Sequence, residues 1–373
     1  MSNNNMLANK DSQQINKLYP EMQEAFEEFK KKTETRNLVF QNEMSQIEKY
    51  GAVINTLGDM LSPGDDEIEY IINKLVPRGE ISMIYGNSGC GKSTIIRTML
   101  FAVAFGLIKF LDFEIIVEVL NRKVALVVTE ESARNLKPLI KIQAKFFDKY
   151  RTIEEPVFDI ISSVEVDIVT VLTKRLEEVH YSWIVIDTPQ DNLPGSINES
   201  TVIRQYFKSL SNLAYKYNVA ITVVMHKRKY TGDKPPSRED LAGSQALNAI
   251  PRVIYELRED VCNPLRRNLT PVKANFESFK FLQTSFVLEF HEDTLTFSDT
   301  GERITIDQVG MDTHRININN MIIEKIKDYK HSNHSIKQKE IIELLKEEFP
   351  SEKIDQPRIS RLMKKISNDI INH

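Results

Sequence analysis

Cysteine is scarce: 373 residues hold only Cys90 and Cys262. Neither stands in a Cys-x-x-Cys pair or a Cys/His cluster, which argues against a structural zinc site and a disulfide framework. Long apolar runs are missing as well. The stretch 101–111 is apolar but short and is interrupted by Lys109, so no transmembrane helix is expected. The opening segment, MSNNNMLANKDSQQ, has no apolar signal core. A cytoplasmic protein without a membrane partner is the expectation. Positive charge is not in excess either: the formal net charge is −4. Any nucleic-acid contact must therefore use local basic patches rather than a global field.

Three regions follow from pattern. Residues 1–66 are polar and helix-rich, with Leu18, Met22, Phe26 and Phe29 at helical spacing. They read as a helical arm that docks on its own chain or on a neighbouring subunit, ending at the turn-forming Ser-Pro-Gly-Asp-Asp of 62–66. Residues 67–310 alternate apolar strand candidates (81–85, 124–128, 158–161, 183–186, 220–224 and 253–257) with helical segments. That alternation predicts an α/β core, a mostly parallel sheet flanked by helices. The stretch 276–297 reads as antiparallel strands, Phe-Lys-Phe-Leu and Ser-Phe-Val-Leu-Glu-Phe, before a turn at 291–293. Residues 315–373 carry three helix candidates, 320–329, 336–349 and 357–371. In the last, Ile359, Leu362, Met363 and Ile366 form an apolar stripe, with Arg358, Arg361, Lys364 and Lys365 elsewhere on the helix. A three-helix unit of this kind resembles a helix-turn-helix or winged-helix module, and Arg358, Arg361, Lys364 and Lys365 are its candidate DNA contacts.

The chemistry starts at MIYGNSGCGKSTII. Gly86, Gly91, Lys92 and Ser93 fit G-x-x-x-x-G-K-[ST]. The glycines let backbone N–H groups turn inward around a phosphate, and the helix that follows points its N-terminus at the anion. Gly86, Asn87, Ser88, Gly89, Cys90, Gly91, Lys92, Ser93 and Thr94 are the expected nucleotide contacts, with ATP and Mg²⁺ as ligands. Lys92 pairs with β- and γ-oxygens, Ser93 ligates Mg²⁺, and Thr94 reaches the α-phosphate. The strand 183–186 runs into Asp187, the acid expected to hold a Mg²⁺ water. The strand 124–128 runs into Thr-Glu-Glu-Ser; Glu130 is preferred as general base, with Glu131 second, although acids there also suit a helix start. The strand 220–225 ends at His226, placed to sense a γ-phosphate. From Lys227 to Arg238 stand five basic residues, and Lys227, Arg228, Lys229 and Lys234 are the candidate DNA contacts there.

These parts in this order resemble the RecA-like ATPase core. Within it, residues 67–298 look most like the RepA-type hexameric helicases of plasmids and phages. The quoted features are Val-Pro-Arg-Gly at 76–79 leading into the phosphate loop, Val-Val-Thr-Glu-Glu at 127–131, Ile-Asp-Thr at 186–188, and Met-His-Lys at 225–227, where the family has a histidine pair. Ala-Gly-Ser-Gln at 242–245, Ile-Pro-Arg at 250–252 and Lys-Ala-Asn-Phe at 273–276 complete the match. Gln245 and Asn275 depart from the related patterns. The resemblance implies a homo-oligomeric ring, a hexamer, with each nucleotide site between subunits. Arg252, and with it Lys273, then acts in trans on the neighbour's γ-phosphate. Single-stranded or forked DNA is the implied partner.

Overall fold

The computed structural model describes residues 38–39, 41–43, 45–47, 49, 53–61, 68–117, 121–162, 167–189, 200–227, 234–241, 246–310, 313–333, 335–350 and 352–371. By contact density the chain divides into two units, Met1–Ile68 and Glu69–His373. In the first, a short helix spans Leu57–Leu61, and Leu57, Met60 and Leu61 are exposed. The expected arm residues Leu18, Met22, Phe26 and Phe29, and the turn at 62–66, lie outside the described residues.

The second unit is built on nine strands: β1 (Ile81–Gly86), β2 (Val124–Val128), β3 (Phe158–Ser162), β4 (Trp183–Asp187), β5 (Ala220–His226), β6 (Val253–Glu259), β7 (Arg266–Ala274), β8 (Thr284–His291) and β9 (Thr296–Thr305). They form one sheet in the order β9-β8-β7-β6-β1-β5-β4-β2-β3. The six strands from β6 to β3 are parallel, and β7, β8 and β9 continue the sheet antiparallel. The central strands read as unbroken apolar runs because both faces are covered. Alternate residues serve opposite faces. Ile84, Leu126, Val185 and Val224 pack with helices α1 (Lys92–Ala104) and α2 (Ala133–Phe147). Met83, Val127, Ile186 and Val223 pack with α3 (Ile168–Glu178) and α4 (Ser200–Lys216). The α/β core expected from the alternation is what the structure contains.

Two local readings change. Phe279–Leu282, expected as a strand, is a helical turn, because Ser278 caps it by accepting the Phe281 N–H. The strand before β8 is instead β7, whose Arg, Asn, Thr and Lys residues interrupt any apolar pattern.

Helices α5 (Thr313–Ser332), α6 (Gln338–Glu348) and α7 (Gln356–Ile371) follow. They share a separate apolar cluster of Ile322, Ile326, Ile341, Leu345, Ile354 and Ile359, with Leu362 and Met363 packed against it. Ile359 thus heads the stripe expected on the last helix. Among the described residues no helix is long and apolar enough to cross a membrane.

Candidate nucleotide and hydrolysis site

Strand register assembles the site. Gly86 pairs with His226, and Val128 pairs with Asp187, so the carboxyl ends of β1, β5, β4 and β2 finish at one level. Ligands of open α/β sheets bind outside such strand ends. Between the loop strand β1 and the acid-bearing β4 lies β5, which brings His226 into the middle of the row.

Loop 87–91 joins β1 to α1. At Gly86 a Cβ would lie 2.2 Å from the Leu257 carbonyl oxygen and 2.8 Å from Cys90 Sγ. Gly89 and Gly91 instead need the left-handed region, with φ of 80° and 98°. Gly91 caps α1 without a side-chain hydrogen bond, and the first turn of α1 carries no acid. Its leading N–H groups are therefore open to an anion. Lys92 Nζ lies over the loop, donating to the carbonyls of Gly86 (3.2 Å) and Asn87 (2.7 Å). Asn87, Ser88 and Gly89 face solvent, while Cys90 is buried and burial pushes its thiol pKa up. The antiparallel extension braces the loop from outside: Arg267 Nε donates to the Cys90 carbonyl at 2.7 Å, and the Phe297 ring backs Gly91.

The Ser93 hydroxyl stands beside the Asp187 carboxylate and acts to lower its pKa. Burial raises the Asp187 pKa against that contact and the positive charges of Arg97 and Lys92, while Glu130 adds to the rise. One hydroxyl beside one carboxylate suits Mg²⁺, which keeps waters and takes phosphate oxygens rather than a full protein cage.

Glu130 is held at one oxygen. Thr188 Oγ1 donates to Glu130 Oε1 at 3.0 Å, and His226 Nε2 lies 3.3 Å from the same atom. Thr188 is itself tied to the end of β2. Its N–H donates to Thr129 Oγ1 at 3.2 Å, and its carbonyl accepts from that hydroxyl at 2.6 Å. Glu131 is exposed beside Glu130. The structure therefore brings Lys92, Ser93, Asp187, Glu130 and His226 to one strand-end row.

Two supporting residues escaped the sequence reading. Thr188 follows an acid already singled out and looked like loop. Arg97 stands one turn after Ser93 inside an apolar helix, and that intrusion was the missed signal. Its Nε donates to Gln143 Oε1 at 3.0 Å, and its Nη2 to Thr94 Oγ1 at 3.3 Å. Gln143 in turn donates to the Leu295 carbonyl at 2.7 Å. Burial lowers the Arg97 pKa, opposed by the charges of Asp187 and Glu131.

The candidate DNA contacts separate. Lys227 was expected to face a strand of DNA. Its side chain is instead 5% exposed, with Nζ 2.8 Å from Glu256 Oε1 and 3.4 Å from Asp240 Oδ2. Side chains alternate along a strand, so the residue after His226 turns away from the nucleotide face and meets a buried carboxylate. Arg358 is also turned inward, at 8% exposure. Lying in the first turn of α7, its side chain leans back over the helix start. There it meets Asn319 Oδ1 at 2.8 Å and Glu352 Oε2 at 2.8 Å. Lys234, Arg361 and Lys364 are exposed. Arg228, Lys229 and the Lys365 side chain lie outside the described residues.

Arg252 stands far from its own phosphate loop. Its N–H donates to the Ile81 carbonyl, at the opposite end of β1 from Gly86. Five residues of parallel strand separate those levels, about 16 Å at a strand rise of ~3.3 Å. Arg252 Nε lies 3.3 Å from Glu80 Oε1 and stays 44% exposed. Lys273 Nζ donates to the carbonyls of Asn248 (2.9 Å) and Ala249 (3.2 Å). Burial lowers its pKa, and the charges of Arg252 and Arg238 lower it further, so three cations share this end of the sheet.

A phosphate loop, a serine–carboxylate pair and a positioned strand-end glutamate on a mostly parallel sheet define a P-loop ATPase domain. Residues 54–232 match the family model described as an AAA domain. The match spans the loop, Glu130, Asp187 and His226, and ends before Arg252, Lys273 and the helical unit. No curated protein matches the chain.

Proposed function

We propose that this protein is an ATP-hydrolysing, ring-forming DNA helicase or translocase of the RepA type, acting in replication of a plasmid, phage or other mobile element. The observation that carries the ring is the position of Arg252. A side chain level with Ile81 does not span about 16 Å to its own loop, which excludes a role there and supports one on the nucleotide of a second copy. In this reading the arm 1–66 aids assembly into a hexamer, 67–310 is the motor, and 315–373 contacts DNA.

The loop N–H groups and Lys92 bind the ATP phosphates. Ser93 and Asp187 hold Mg²⁺, which when bound neutralises charge on the β- and γ-phosphates. Both described contacts of Glu130 fall on Oε1, which leaves Oε2 to take the proton of the attacking water. His226, beside it, senses the γ-phosphate. Arg252 and Lys273 of the adjacent copy stabilise charge on the phosphoryl group in transfer.

The deciding experiment measures ATP turnover with and without single-stranded DNA, together with strand displacement on a forked duplex. A DNA motor is stimulated and displaces the strand. Turnover indifferent to DNA removes the motor reading. The inward turn of Lys227 and Arg358 thins the basic surface and favours a second reading, an ATPase that loads or remodels DNA without unwinding it. Stimulation without displacement selects that reading. Arg252→Ala subunits are expected to assemble and bind ATP without turning it over; normal turnover rejects the shared site.

A further inference from the structure

Directly after His226 the chain enters a buried charge cluster that the hydrolytic site does not use. Glu256 is fully buried in β6. Its Oε1 receives Lys227 Nζ at 2.8 Å and Arg258 Nε at 2.7 Å, and its Oε2 receives the Tyr85 hydroxyl at 2.8 Å. Asp240 Oδ2 lies 3.4 Å from Lys227 and 3.9 Å from Arg258. Two cations and two anions balance, which is what lets such a cluster persist away from water.

The same groups fasten segment 234–241 to the core. Arg258 Nη1 donates to the Lys234 carbonyl at 2.7 Å, and the Tyr85 hydroxyl lies 2.7 Å from the Ser237 carbonyl oxygen. Lys227 and Leu241 form a backbone bridge. On the other side, the Lys227 N–H donates to the Gly86 carbonyl at 3.0 Å, the first residue of the phosphate loop. One residue thus joins the phosphate loop, the strand bearing His226, and segment 234–241. Arg258 Nη2 also lies 2.7 Å from Glu256 Oε1, whereas Asp240 Oδ2 is buried with ion-pair contacts to Lys227 and Arg258 and no hydrogen bond.

We propose that Lys227, through Glu256, Arg258 and Asp240, is a positioning residue that couples His226 and the phosphate loop to segment 234–241. It sets where His226 stands against Glu130, and nucleotide binding is passed outward along the same contacts. The kinetic part rests on the reading of Glu130 and His226 as hydrolytic groups. The structural part does not.

The test uses the full-length protein with Lys227→Met, the charge-balanced pair Lys227→Met/Glu256→Gln, and Lys227→Arg. Amide hydrogen exchange at 234–241 is followed with and without a non-hydrolysable ATP analogue, alongside steady-state ATP turnover. The wild type is expected to change protection at 234–241 on nucleotide binding. Both Met variants are expected to lose that response while binding the analogue within about 3-fold of wild type. Their kcat falls at least ~10-fold with KM little changed, and Lys227→Arg restores most of both. The balanced pair leaves Arg258 opposite Asp240, so it guards against a simple folding failure of the single variant. A preserved exchange response in the Met variants overturns the coupling. So does a rise in KM with kcat unchanged. A Glu130→Gln protein with normal turnover would sink the hydrolytic reading and leave the exchange result standing by itself.

Discussion

Replacing Gly86 by alanine separates the two demands placed on the loop glycines. The new Cβ would stand 2.2 Å from the Leu257 carbonyl oxygen, against a carbon–oxygen contact of ~3.3 Å. Relief needs about 1 Å of separation, and the obstacle is backbone of the neighbouring strand β6, not a side chain that can rotate. Cys90 Sγ, at 2.8 Å, blocks a second direction. Overpacking of this kind costs ~1–3 kcal/mol, and an immovable partner puts Gly86→Ala near the upper end. At ~2–4 °C per kcal/mol for a domain of this size, the melting midpoint falls by about 6–12 °C. Gly89→Ala meets no atom within 4 Å and carries only the left-handed backbone cost, ~1 kcal/mol or a little more. Thermal melts of both variants, with titration of a fluorescent ATP analogue, test the reasoning. Gly86→Ala is expected to melt lower and to bind at least ~10-fold more weakly than Gly89→Ala. Equal behaviour of the two, or a Gly86→Ala protein that melts and binds as wild type, refutes it.

Glu130→Gln keeps the hydrogen-bonding shape but cannot take a proton, so kcat is expected to drop by ~10²–10⁴ with ATP binding retained; Thr188→Val, which removes the donor to Glu130 Oε1, produces a smaller loss in the same assay. Arg358→Ala is expected to destabilise the three-helix unit, read by circular dichroism melts, since its guanidinium ties α7 to Asn319 and Glu352; Arg361→Ala, at an exposed position, leaves the melt unchanged. Asp159 is partly desolvated, which raises its pKa, but hydrogen bonds from Tyr181 and Arg175 outweigh this and hold the carboxyl below its usual value. Its stabilisation is therefore present above the ordinary aspartate pKa of ~3.9 and is lost as pH falls through the lower folded value. Asp159→Asn should lower the melting midpoint at pH 7, and the difference from wild type should shrink below about pH 4; a difference that persists in acid contradicts the assignment.

Local chemistry carried much of the reading. All six strands of the parallel part follow from mostly apolar runs, and the nucleotide loop from its glycine and lysine spacing. Those features are encoded within a few residues of one another, so one short window holds all the information. The helix at Phe279–Leu282 shows where a window misleads: four apolar and long side chains suit either structure, and the Ser278 cap tips the balance. Strand β7 was hidden for a related reason, because its polar residues find partners on other elements, as Thr270 does with Ser285 at 2.7 Å.

Side-chain destination was beyond the reach of sequence. Lys227 and Arg358 sit among basic neighbours and look like surface charge. Each is drawn inward by carboxylates from other parts of the chain, Glu256 from 29 positions away and Glu352 from across the turn before α7. Glu130 could be named as an acid at a strand end, but its contact with Thr188 and His226 depends on the register that levels β2, β4 and β5. Arg252 could be named as a cation. Only the parallel pairing of β6 with β1 puts it at the far end of the sheet from its own loop. By itself, the sequence determined that an ATPase-type phosphate loop exists on an α/β core, because loop geometry is set by adjacent residues. Tertiary structure decided which charges face water, which brace the site, and which stand at the far end of the sheet from it, because burial and distance belong to the packed chain.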